Sequence, residues 1–169
     1  FNLRKDLQIK MNDLNKAIEY CDSHQEEFLG RLSELVKIPG ISAWPESQAD
    51  LRRTAEAVEE ELQRAGLEHT ELLEFSGAPP YVYGERIEDS SLPTLLLYAH
   101  HDVQPPGEDQ RWLSDPFQPE TREGPGGLRL YGRGAADDKA GAMCHVAAIE
   151  SWVKTRGSLP CNVKVIIEG

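Results

Sequence analysis

The 169-residue sequence predicts an α/β fold, a layered sandwich with a mixed sheet. Three observations carry this. The first third reads as successive amphipathic helices. Strand-like runs then alternate with one long helical pattern. One of those runs, TLLLYA at 94–99, is continuously apolar, which suits a strand covered on both faces.

Residues 12–22 predict a short helix, because Leu14, Ala17, Ile18 and Cys21 recur at helical spacing. Ser23 followed by Glu26 has the form of a capping box for a second helix. That helix carries the stripe Phe28, Leu32, Leu35 and Val36, and Pro39 and Gly40 end it. The stretch ISAWPESQ reads as a loop, and Ser47 is placed to cap a third helix. There Leu51, Ala55, Val58 and Leu62 recur at steps of four, three and four, and Gly66 is a natural stop.

HTELLEF (69–75) and YVYGERI (81–87) predict strands around a Gly-Ala-Pro-Pro turn. FQPETRE and LRLYGR predict a hairpin across GPGG. Residues 138–155 predict a long helix with Ala142, Met143, Val146, Ile149 and Val153 on one side, ended by Gly157. NVKVIIEG is a final strand. If it runs parallel to TLLLYA as its neighbour, ligands would gather at their C-terminal ends.

Composition narrows the function classes. Lys+Arg is 18 and Asp+Glu is 29, a formal charge of −11, with 39% hydrophobic residues. This is a globular balance. Its negative sign argues against nucleic acid or an anionic membrane surface as partner and suits cations. No apolar run approaches the ~20 residues of a membrane span. Cys21, Cys144 and Cys161 form no CxxC pattern, so they read as reduced thiols and the protein as cytoplasmic. Residues 1–11 are expected to be a leader or cloning remnant, with Met11 a candidate start, and 12–169 the folded portion.

The chemistry concentrates at two element ends. His100-His101-Asp102 follows the apolar strand, and Asp137-Asp138 precedes the long helix. His-x-Asp on an extended segment puts the first and third side chains on one face. One can then bind metal while the other orients it. An aspartate at a loop-to-helix junction can bridge two metal ions, the clamp used in hydrolysis. It can equally cap the helix. On residue chemistry alone both readings stay open.

Four strings in order, YAHHDVQPP, RWLSDPFQP, LYGRGAADDKAG and VKVIIEG, resemble the M20 family of metallopeptidases, and most of all its dipeptidase branch of carnosinase-like and PepV-like enzymes. The resemblance covers roughly residues 15–169. It implies the N-terminal portion of a zinc-exopeptidase-like catalytic domain, truncated, with the lid domain absent. It implies a di-zinc hydrolase that cleaves the amide bond of dipeptides or other short peptides through a metal-bridging hydroxide, with cobalt or manganese as alternative ions.

By the same resemblance His100 is a zinc ligand, Asp137 bridges both zincs, and the catalytic Asp102 orients His100. Asp138 is a structural cap. Trp112, Pro116 and Phe117 fix the intervening loop, and Gly132 and Gly134 let the backbone pass tightly beside the site. Position 101, apolar in the branch, is His101 here and is expected to turn away from the ligand face. The family's general base and remaining ligands would lie beyond Gly169, so the chain alone is expected to be inactive and its sheet to have open edges and an uncovered apolar face. A homodimer would form through the lid. Two alternatives remain: a non-catalytic binding or assembly chain, and an N-acyl amino acid amidohydrolase.

Blander readings hold for the rest. His24 and His69 read as surface residues and His145 as packing. AVEEELQRAG reads as a solvated face with a Glu60–Arg64 pair. Trp44, Trp112 and Trp152 read as packing. No phosphate loop, dinucleotide fingerprint or nucleophile elbow is present.

Overall fold

In the computed structural model residues 3–108 and 111–169 are described, the first eight of them by backbone alone. The chain runs α1 (Leu3–Ser23), α2 (Gln25–Val36), α3 (Gln48–Ala65), β1 (His69–Leu73), β2 (Tyr81–Arg86), β3 (Thr94–His100), β4 (Glu120–Gly124), β5 (Gly127–Tyr131), α4 (Lys139–Arg156) and β6 (Asn162–Glu168). The main sheet has the order β1-β2-β6-β3. β6 is antiparallel to β2 and parallel to β3, with His100 opposite Glu168. β4 and β5 form the separate hairpin.

Burial alternates along the central strand because only one face is covered. Val163, Val165 and Ile167 of β6 pack with Val82 and Ala99 against Val58 and Leu62 of α3 and Met143, Val146 and Ile149 of α4. The other face is open. Leu96 and Tyr98 of β3 are 63% and 56% exposed. The open edge and uncovered face expected of the partial sheet are present, and β3 lies at that edge, so TLLLYA is not covered on both faces as its composition alone suggested. A continuous apolar run does not distinguish an enclosed strand from an exposed edge.

Helix starts also differ from the sequence pattern. Neither Ser23 nor Ser47 makes a capping bond; the hydroxyl of Ser23 donates instead to the Tyr20 carbonyl (2.9 Å). His24 precedes α2, and its ring stacks on Tyr20 at 3.8 Å. The stops hold, with Gly66 and Gly157 in the left-handed region at φ 103° and 79°.

The acidic run of α3 is not uniformly solvated. Glu61 is buried beside Arg31 of α2, whose Nε donates to it at 2.6 Å and whose Nη1 donates to buried Glu150 of α4 at 2.9 Å. Arg64 lies nearest Glu61 (3.8 Å), so the Glu60–Arg64 pair does not form. One cation thus joins three helices.

Candidate metal centre

β3 ends at His100, which carries its ring on the open face at the C-terminal end of the parallel β3–β6 pair. Two residues on, Asp102 turns back. His100 Nδ1 and Asp102 Oδ1 are 3.0 Å apart. The second oxygen of Asp102 accepts the hydroxyl proton of Ser42. Ser42 arrives there because residues 40–42 zip against Val103: Ile41 pairs in parallel with it, and Val103 N donates to Gly40 O at 2.8 Å.

Asp137 meets the other ring nitrogen, with Oδ1 3.0 Å from His100 Nε2. Its side chain is 89% exposed, against 30% for His100. The imidazole therefore stands between two carboxylates. If Nδ1–H donates to Asp102, Nε2 turns a lone pair toward an acceptor oxygen, a contact that only a cation relieves. A proton on Nε2 is one such cation. Partial burial works against the charged ring, but the Asp137 bond and the Asp102 charge outweigh it and raise the His100 pKa.

A metal ion is the other such cation, and the donors fit it. Imidazole nitrogen and carboxylate oxygen are both zinc ligands. Two ligands of one tetrahedral zinc stand roughly 3.3 Å apart, close to the 3.0 Å between these atoms. Asp102 occupies the place of a carboxylate that fixes the ring tautomer. Among the described residues no group of three His, Cys, Asp or Glu side chains comes together to hold an ion, so His100 and Asp137 are a partial set.

Asp138 is not the helix cap that its position suggests. Its carboxylate makes no capping bond. Instead Oδ2 accepts the backbone N–H of His100 at 3.2 Å. Gly141 makes room for this, since a β-carbon there would collide with Asp138 Oδ1. Gly134 has φ 83°, and an added β-carbon would lie 2.6 Å from Val103; at Gly132 it would lie 2.7 Å from Val36. Both glycines permit the close passage expected of them.

Lys139 was not singled out by sequence, yet it is fully buried. Its ammonium donates to the carbonyls of Leu35 and Ile38, both at 2.7 Å, closing the end of α2. Burial pushes its pKa down to about 8, against the opposing pull of Asp102 and Asp50. Ser42 was also missed. A serine in a loop gives no signal until its partner is known.

The remaining histidines stay out of the centre. His101 is buried with Nε2 2.8 Å from Pro80 O, as its turn from the ligand face implies. His145 Nε2 lies 2.9 Å from Tyr98 O. The loop after Asp102 is fixed as expected: Trp112 Nε1–H donates to Pro106 O (2.9 Å), and Arg133 N donates to Pro116 O (2.7 Å).

Comparison with known proteins gives a consistent picture. Residues 96–169 match the family described as peptidase family M20/M25/M40. The "Cys-Gly metallodipeptidase dug1" of Schizosaccharomyces pombe is 34% identical over 164 residues, 92% of this chain and 34% of that protein. The "Succinyl-diaminopimelate desuccinylase" of a Wolbachia strain is 44% identical over 106 residues, 63% of this chain and 25% of that protein. The crystal structure of human carnosine dipeptidase 1 superposes with a TM-score of 0.81 at 32% identity, covering 92% of this chain and 34% of that one. The chain spans about a third of the length of the dipeptidases it matches.

Proposed function

Since the segment 96–169 belongs to peptidase family M20/M25/M40, we propose that this chain contributes His100, Asp137 and the orienting Asp102 to a di-zinc centre that hydrolyses the amide bond of dipeptides or other short peptides. The observation that carries the reading is the imidazole of His100, held at Nδ1 by Asp102 and facing Asp137 from Nε2, each at 3.0 Å. The chemistry such ions supply when bound is Lewis-acid polarisation of the amide carbonyl and activation of water. Cobalt or manganese would serve in the same donors.

The chain's own residues have separate tasks in this reading. His100 and Asp137 present the donor atoms. Asp102 keeps the proton of His100 on Nδ1, and Ser42 holds Asp102 in place. Asp138 fixes the backbone from which His100 projects. Turnover calls for more donors than the two that meet among the described residues, and for a proton acceptor. A polypeptide longer than these 169 residues is the natural source.

A second reading, amide cleavage in N-acyl amino acids, takes its support from the desuccinylase relative. A metal-binding chain without turnover of its own is consistent with the partial donor set. Zinc titration followed by NMR of the histidine rings tests the centre. His100 is expected to respond, weakly, and the response to vanish in His100→Ala and Asp137→Ala. Zinc that perturbs other histidines, or binds both variants as well as the parent, overturns the reading.

A further inference from the structure

We propose that Glu168, bracketed by Tyr81 and Tyr98, is a recognition site for the free ammonium group of a peptide substrate, one strand away from the metal centre. The inference rests on the peptidase reading above and names its substrate class: peptides with a free amino terminus rather than N-acyl amino acids.

The placement follows from strand register. β6 is central, and its residue Glu168 lies opposite His100 on β3. Both project to the open face, since their neighbours Ile167 and Ala99 are buried on the other side. Glu168 is held rigidly. Tyr81 O–H donates to one carboxylate oxygen at 2.7 Å, and Tyr98 O–H donates to the other at 2.6 Å. These two bonds keep the carboxyl below its ordinary pKa against slight desolvation, so it is an anion.

Among the described residues no Lys, Arg or His side chain forms an ion pair with that anion. The two positive or titratable neighbours on this face are engaged elsewhere: Lys164 pairs with Glu85 (3.0 Å), and His100 stands between Asp102 and Asp137. Each oxygen of Glu168 keeps lone pairs free for a further donor. The surround is aromatic. Tyr98 is 56% exposed, and Phe75, 55% exposed, meets the Tyr81 ring edge-on at 5.5 Å. A fixed carboxylate flanked by exposed aromatic rings offers an alkylammonium ion both a counter-charge and apolar contact.

Spacing fits the task. Neighbouring strands lie about 4.8 Å apart, and one residue of extended peptide spans roughly 3.3–3.6 Å. The register places Glu168 opposite His100 across that single strand spacing. An N-succinyl or N-acetyl group brings no ammonium, and succinate would bring a second carboxylate to an unpaired one.

NMR titration of the 169-residue chain tests this, using alanylglycine, N-acetyl-alanylglycine and ethylammonium as probes. Alanylglycine and ethylammonium are expected to shift the Tyr81, Tyr98 and Glu168 signals. The N-acetyl peptide should bind at least about tenfold more weakly, as should alanylglycine to Glu168→Gln. Equal binding of the two peptides, no saturable shift at these residues, or unchanged binding to Glu168→Gln overturns the proposal. The zinc response of His100 is read in the same samples. It should survive in Glu168→Gln, and its absence from the parent chain with ammonium binding intact refutes the metal reading instead. Should Glu168→Gln fail to fold, Tyr81→Phe with Tyr98→Phe frees the carboxylate and should weaken alanylglycine while leaving zinc binding unchanged; unweakened binding refutes the bracket.

Discussion

Removing the cation at the centre of the three-helix junction should cost much of the stability of the fold. Arg31 is 8% exposed at its side chain, and its partners Glu61 and Glu150 are 11% and 5% exposed. Arg31→Met leaves Glu150 enclosed between the helices with no counter-charge, and Glu61 with Arg64 alone, 3.8 Å away. Breaking a buried pair in this way costs about 3–5 kcal/mol, against a total of roughly 5–15 kcal/mol for a domain. Urea unfolding followed by circular dichroism measures it, the midpoint shifting at unchanged slope. The added changes Glu61→Gln and Glu150→Gln remove the stranded charges and should restore about half of the loss or more. A single-variant loss below about 1 kcal/mol, the range of a surface pair, would show that water reaches the junction and that the network is not enclosed.

Three further outcomes follow from the site and its supports. Ser42→Ala leaves Asp102 with one partner fewer, and should weaken zinc at His100 by about tenfold or more in the same titration, with the unfolding midpoint nearly unchanged. Gly141→Ala should destabilise the chain by roughly 1–3 kcal/mol in thermal unfolding despite alanine's higher helix propensity, because its methyl displaces Asp138 from the His100 N–H. Burial works against ionised Glu88, but the Leu159 N–H (2.7 Å) and Arg86 (2.6 Å) prevail and depress its pKa. The stability it contributes is therefore complete above the ordinary carboxylate pKa of about 4.3 and is lost as pH falls through the depressed value. Glu88→Gln should flatten that acid limb of the urea midpoint against pH.

The legible part of the fold was what local pattern controls. Leu51, Ala55, Val58 and Leu62 sit on the buried side of α3 as their spacing requires, and Gly66 and Gly157 end their helices in the conformation that glycine alone adopts freely. His100 and Asp102 meet as alternation in an extended segment dictates. What failed were readings that depend on tertiary context. Glu61 belongs to an acidic run, and only the approach of Arg31 from a helix 30 residues earlier makes it a core residue. TLLLYA has the composition of an enclosed strand, but enclosure depends on what lies beside β3, and composition carries no information about that. The capping box at Ser23 and the cap at Ser47 failed because the backbone does not leave the helical region cleanly: His24 and Ser47 have ψ of 13° and 5°, outside the extended conformation of a capping residue.

The string Asp137-Asp138-Lys139 shows why a motif can be recognised without its mechanics being readable. Three consecutive side chains at the head of a helix diverge, because only Lys139 has entered α4 while Asp137 and Asp138 precede it in non-helical backbone. Here each reaches a different part of the molecule. Asp137 faces the His100 ring, Asp138 takes the His100 backbone N–H, and Lys139 closes the carbonyls at the end of α2. The last of these fixes the start of the segment that carries Ser42 back to Asp102. Both ring nitrogens of His100 and the backbone beneath it are thus set by residues that one helix terminus and one loop deliver together. A substitution at any of the three should move His100 relative to Asp137 even though only one of them faces the ring, and zinc affinity should fall further for Asp138→Ala than an exposed polar change would explain.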